Sequence, residues 1–77
     1  MMIEYGDTTL GRNIAYLRKK YGISRTALAN LTGIGYHQLK NWEAERCRPV
    51  IDYYELKRLC AIFDLAPSSL VHEDLSM

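Results

Sequence analysis

The 77-residue chain predicts an all-α domain of five helices, on three observations. Apolar residues recur at spacings of three and four, the period of one helix face, in Leu10, Ile14, Leu17 and Tyr21 and again in Leu56, Leu59, Cys60 and Phe63. Residues that start or stop helices fall between such stretches, among them Thr8, Gly22, Ser24, Gly33, Gly35, Asp52 and Pro67. The segment Arg25–Ala44, RTALANLTGIGYHQLKNWEA, reads as two short helices joined by a tight turn. A chain of this length forms one compact domain and must use every apolar helix face for its core.

The first helix is expected over about Thr9–Tyr21, with Thr8 as N-cap, Gly22 just past its end and Ile23 packing back on the last turn. Arg18, Lys19 and Lys20 suit the negative end of its dipole. Ser24 caps a second helix over Arg25–Thr32, and Gly33 ends it. Ala29 is the small residue expected to allow a close crossing. Gly35 caps the third helix, which runs to Ala44 or Glu45. Pro49 marks a loop. Asp52, with Glu55 three residues on, has the form of a capping box and opens the fourth helix. Pro67 suits the first position of a short fifth helix that turns Leu70 and Val71 inward. The expected organisation is a short N-terminal segment, 1–8, a helical domain, 9–72, and an end at 73–77 that frays.

Composition narrows the class. With 48% apolar and 25% charged residues the chain suits a water-soluble globule. No apolar run approaches the roughly 20 residues of a membrane-spanning helix, and residues 1–7 lack the pattern of a signal peptide. A cytoplasmic protein is expected. Cys47 and Cys60 are too few for a disulfide framework; Cys60 falls on an apolar helix face and Cys47 in a polar loop. Neither cysteine has metal-ligand spacing to His37 or His72, so no metal and no cofactor are expected. No Gly-rich phosphate loop or nucleophile beside a base is present, which argues against an enzyme. The net charge is +1, but its distribution is uneven: Arg12–Arg48 holds eight basic residues and two acids. Such asymmetry suggests one basic face on a nearly neutral protein.

The third helix is the informative element. At 100° per residue Leu39 and Trp42 lie about 60° apart and define its inner face. His37, Lys40, Asn41 and Ala44 lie opposite, Tyr36 flanks them near the N-terminus, and Gln38 sits at the edge. Trp42 is expected in the core, and Glu43 is expected to bond a basic residue on a neighbouring helix. Of Tyr53 and Tyr54, one is expected in the core and the other free for a partner.

Leu10-Gly11, Ile14, Leu17-Arg18, Gly22-Ile23-Ser24, Leu28-Ala29, Gly33-Ile34, Leu39, Trp42-Glu43, Arg48-Pro49, Leu56, Leu59, Phe63, Leu65 and Leu70 follow one another in a specific order. In that order the chain resembles a Cro/repressor-type helix-turn-helix domain, the lambda-repressor-like five-helix fold of the XRE family. The resemblance spans about Leu10–Val71 and implies a helix-turn-helix at helices two and three. It further implies double-stranded DNA as partner, with the third helix, about 35–45, in the major groove. On that geometry Tyr36, His37, Lys40 and Asn41 are the base-reading residues. Arg25, Gln38, Arg46 and Arg48 are the phosphate-binding ones, with Arg12 and Arg18 as further anchors. Three positions depart from the pattern: Arg25 replaces a frequent Gln, Gly35 a frequent Ser or Thr, and Glu45 a frequent Gly. Glu45 is thereby expected to bring an acid near the DNA-facing side.

The expected function is a small sequence-specific transcriptional regulator, a repressor of phage or mobile-element type. A homodimer is expected through the C-terminal helix, using Leu70, Val71 and Leu75. Nothing points to a membrane or a small-molecule ligand. The alternative is a protein-interaction module of the same fold, antitoxin-like or coactivator-like, because fold does not fix function.

Overall fold

The periodic stretches fold as helices in a computed structural model that describes residues 2–4 and 7–76. In chain order the elements are β1 (Met2–Glu4), α1 (Thr9–Lys20), α2 (Arg25–Thr32), α3 (Tyr36–Glu43), β2 (Val50–Asp52), α4 (Tyr53–Phe63) and α5 (Pro67–His72). All five expected helices are present.

Helix ends follow from local chemistry. Gly22, at φ 68°, lets the Ile23 N–H turn back to the Arg18 carbonyl (2.9 Å) and closes α1. The Ser24 hydroxyl accepts from the Ala27 N–H at 3.0 Å and starts α2. Asp52 and Glu55 form the expected capping box at α4: Asp52 accepts from the Tyr54 N–H (2.7 Å), and Glu55 accepts from the Asp52 N–H (3.0 Å). Pro67 opens α5 at a position whose N–H no helical bond needs. Thr8 precedes α1 but its side chain makes no cap; Asp7 accepts the Thr9 N–H at 3.0 Å in its place. The Thr8 hydroxyl is turned instead to Glu45.

The third helix is shorter than expected. It ends at Glu43, because Glu45 takes a left-handed conformation at φ 58°. The Arg46 N–H then reaches the Asn41 carbonyl and the Glu45 N–H the Trp42 carbonyl, each at 3.0 Å. A glycine would take this backbone without strain.

Leu10, Ile14, Leu17, Leu28, Ile34, Leu39, Trp42, Ile51, Leu56, Leu59, Cys60, Phe63, Leu70 and Val71 form the core. Tyr21, the fourth residue of the α1 stripe, stays half exposed and stacks on Phe63 with ring centroids 5.9 Å apart. α1 crosses α3 closely at Gly11, where a Cβ would overlap the Trp42 carbonyl. Ala29, expected to allow such a crossing, is only partly buried against the core.

Two features lay outside the sequence expectation. β1 and β2 pair antiparallel, with Met2 opposite Asp52, Ile3 opposite Ile51 and Glu4 opposite Val50. The stretch after Pro49, expected as loop, thus supplies a strand and places Ile51 fully in the core. Asn13, also fully buried, donates from Nδ2 to the carbonyls of Leu70 (2.7 Å) and Glu73 (2.6 Å) and accepts from the Leu75 N–H (3.0 Å). Glu73 and Leu75, in the end expected to fray, are bonded to α1 in this way. Leu70 and Val71, expected as a dimer surface, are core residues on the inner face of α5. Tyr53 and Tyr54 are both exposed, at 47% and 66%, so neither is a core residue.

Candidate nucleic-acid interface

The α2–α3 turn presents α3 at a defined angle. Gly33 at φ 80° reverses the chain, and the buried Thr32 braces the turn, its hydroxyl donating to the Leu28 carbonyl (2.8 Å) and accepting from the Ile34 N–H (3.2 Å). Arg58 on α4 donates to the Thr32 carbonyl at 3.1 Å, which fixes the free end of α2. Ile34, Leu39 and Trp42 then seat α3 on the core. The side chains of Tyr36, His37, Gln38, Lys40, Asn41 and Ala44 are exposed.

Glu43 is the acid of this helix, and it faces inward. Arg18 grips it bidentately, Nε to Oε2 at 2.9 Å and Nη2 to Oε1 at 2.8 Å, and Arg25 Nη2 adds a third bond at 3.1 Å. Burial alone would raise its carboxyl, but the bonds from Arg18 and Arg25 prevail and hold it below the usual carboxylate range. The expected link from Glu43 to a neighbouring helix is therefore made twice, to α1 and to α2. Arg18 also donates to the Ile23 carbonyl at 3.2 Å and is a structural cation, not the free phosphate anchor the sequence suggested.

Glu45 does not burden the outer face either. It accepts from the Thr8 hydroxyl at 2.7 Å and from Arg12 Nη2 at 2.9 Å, while Arg12 Nη1 reaches Asp74 at 3.0 Å. The hydrogen bonds from Thr8 and Arg12 lower its carboxyl from the usual value. Arg12, offered by sequence as an anchor, is thus engaged on two acids.

The phosphate candidates divide. Gln38, Arg46 and Arg48 are exposed near α3 and its C-terminal loop. Arg46 Nη1 donates to the Asn41 Oδ1 at 3.3 Å. Arg25 is drawn back: its guanidinium lies 5.6 Å from the Tyr36 ring centroid and donates to the Tyr36 hydroxyl at 3.4 Å. Tyr36 meets the His37 ring edge-on at 5.5 Å. The base-reading candidates Tyr36, His37, Lys40 and Asn41 come together on one solvent-facing surface of α3.

Gly11, Thr32 and Arg58 position this helix, and Asn13 ties the C-terminal residues to α1; no role for Asn13, Thr32 or Arg58 is expected from the sequence. Asn13 carried a signal, a polar residue three positions after Leu10 on the inner stripe of α1. Cys60 is buried and Cys47 exposed. Among the described residues, no helix is long and apolar enough to cross a membrane.

The family model of the Cro/C1-type HTH DNA-binding domain matches residues 13–72. The chain belongs to that family of DNA-binding domains. It is similar in fold to the crystal structure of a transcriptional regulator from Listeria innocua, with TM-score 0.69 and 24% identity over 80% of this chain. The chain spans 56% of the length of that regulator. No curated protein matches it.

Proposed function

We propose that the protein is a small transcriptional regulator that binds double-stranded DNA sequence-specifically, a cytoplasmic repressor of phage or mobile-element type. One observation carries the reading: both acids at the end of α3 are turned away from its outer face, Glu43 onto Arg18 and Arg25 and Glu45 onto Arg12. What remains outward is Tyr36, His37, Gln38, Lys40 and Asn41, with Arg46 and Arg48 beside them. A face without free acids can approach phosphates without repulsion.

In this reading Tyr36, His37 and Asn41 meet base edges, with Lys40 next, and Gln38, Arg46 and Arg48 meet phosphates. One such domain covers about one half-site, so a dimer on an inverted repeat is the working form. Leu70 and Val71 lie in the core, so the dimer surface draws on other residues. The chemistry is binding, without catalysis.

Selection of sites from random duplex DNA, at two salt concentrations, tests the proposal. Enrichment of a short motif, above all an inverted repeat, is the expected result. Weak, salt-sensitive binding without enrichment would favour the second reading, a protein-docking module. The exposed Val50, Tyr53 and Tyr54 around the start of α4 support that alternative.

A further inference from the structure

The Arg25 guanidinium is held between an acid and an aromatic ring. Glu43 and Tyr36 stand seven residues apart on α3, so they project along nearly one line, about 10 Å from one another along the axis. Arg25 comes from α2 and lies across that line, Nη2 on Glu43 at 3.1 Å and Nη1 on the Tyr36 hydroxyl at 3.4 Å. Glu43 is itself fixed to α1 through two bonds from Arg18, and its side chain is only 5% exposed. The arrangement is a rigid bracket: α1 holds the carboxylate, the carboxylate holds Arg25, and Arg25 holds a ring that is otherwise 40% exposed at the start of the reading helix.

We infer that Arg25 is a positioning residue, which sets the Tyr36 ring for base discrimination and is not itself a phosphate ligand. The inference rests on the DNA-reading function proposed above. Three arguments support it. First, the Arg25 charge is already balanced by Glu43, and moving the guanidinium to a phosphate would strip a nearly buried carboxylate of one of its donors. Second, the Arg25 Nε is buried without a hydrogen-bond partner, so the base of the guanidinium is held against the protein. Third, the guanidinium fork presents separate N–H groups to the Tyr36 hydroxyl and to Glu43, a span that the compact ammonium of lysine does not match. An aromatic ring reads bases by contact, for instance with the thymine methyl, so its orientation decides which base edge it fits.

The experiment uses the selected duplex and its single-base variants. Wild-type protein without any preferred site would sink both the DNA-reading function and this inference. Given a preferred site, Tyr36→Ala is expected to flatten preference at one base position. Arg25→Lys, which keeps a cation for Glu43, is expected to flatten the same position by about fivefold or more. The double variant is expected to lose no more than Tyr36→Ala. Arg25→Gln is expected to leave the salt dependence of binding unchanged, whereas a fall in slope of about 0.9 would mark a phosphate contact and overturn the inference. Preference intact in Arg25→Lys, or losses that add in the double variant, would overturn it as well. Should the Arg25 variants fail to fold, proton cross-relaxation between the Arg25 side chain and the Tyr36 ring in the free wild-type protein decides. It is expected to be present, and its absence removes the bracket.

Discussion

Gly11 lies against the main chain of Trp42, so close that a methyl group at Gly11 would overlap the Trp42 carbonyl. The neighbour is backbone in the last turn of α3, so relief requires α1 and α3 to separate. Alanine at this helical position would gain about 1 kcal/mol of propensity. Overpacking against backbone outweighs that gain. Gly11→Ala is expected to lose about 1–3 kcal/mol in a denaturant titration. Gly35→Ala is the control: the nearest atoms to its Cβ, on Gln38, are 3.8 Å away, and wild-type stability is expected.

Glu43 links stability to pH. Its folded carboxyl sits below the ordinary glutamate value of 4.5, so the folded state binds its proton more weakly than the unfolded chain. The stabilisation is complete above about pH 4.5 and is lost as pH falls through the lower folded value. Glu43→Gln leaves two guanidinium groups without their anion and is expected to lose about 3 kcal/mol at pH 7. The gap between wild type and variant should close as both are acidified. A gap that stays constant from pH 7 to pH 3 would contradict this account.

Asn13 satisfies two carbonyls and one N–H of the chain beyond it. Asn13→Ala leaves these groups unpaired in a buried site and is expected to lose about 2–4 kcal/mol. Amide hydrogen exchange gives the more specific signal. Leu75 should lose protection while the α2–α3 turn keeps its own.

Glu45 has a left-handed backbone and a bonded side chain, and two substitutions separate these. Glu45→Ala keeps the strained backbone and loses the bonds to Thr8 and Arg12. Glu45→Gly loses the same bonds but relieves the backbone. The glycine variant is expected to melt above the alanine variant, and equal melting temperatures would remove the backbone argument.

Asn41→Ala tests the reading face. It is expected to weaken binding to the selected site by about 1–3 kcal/mol and to leave nonspecific DNA nearly unaffected. Equal losses on both DNAs, measured by titration at fixed salt, would exclude Asn41 as a base reader.

The helices were legible because their signals are local. Stripes at three and four, Ser24, the Asp52–Glu55 box, Gly33 and Pro67 each act within a turn of chain. The strand pair was not legible. Met2–Glu4 and Val50–Asp52 are short, lie far apart in sequence, and are fixed by pairing with one another. The outward set on α3 followed from helix period, since Leu39 and Trp42 could only face the core. The roles of the arginines did not follow, because charge pattern cannot say which cations meet an acid in space. Arg12 and Arg18 stand as further anchors in the sequence, and only the positions of Glu45 and Glu43 show that both are engaged. Leu70 and Val71 were read correctly as inward-facing, which is also why they cannot serve as a dimer surface.

Thr8, Glu45, Arg12 and Asp74 form a chain of exposed polar bonds from the end of the reading helix to the C-terminal residues. Dissolved ions weaken exposed ion pairs as they weaken attraction to a polyanion. On the function proposed above, raising salt acts twice on this protein, weakening its hold on DNA and loosening the brace at the end of α3. In that reading, the ionic strength that releases the nucleic acid also slackens the element proposed to read it.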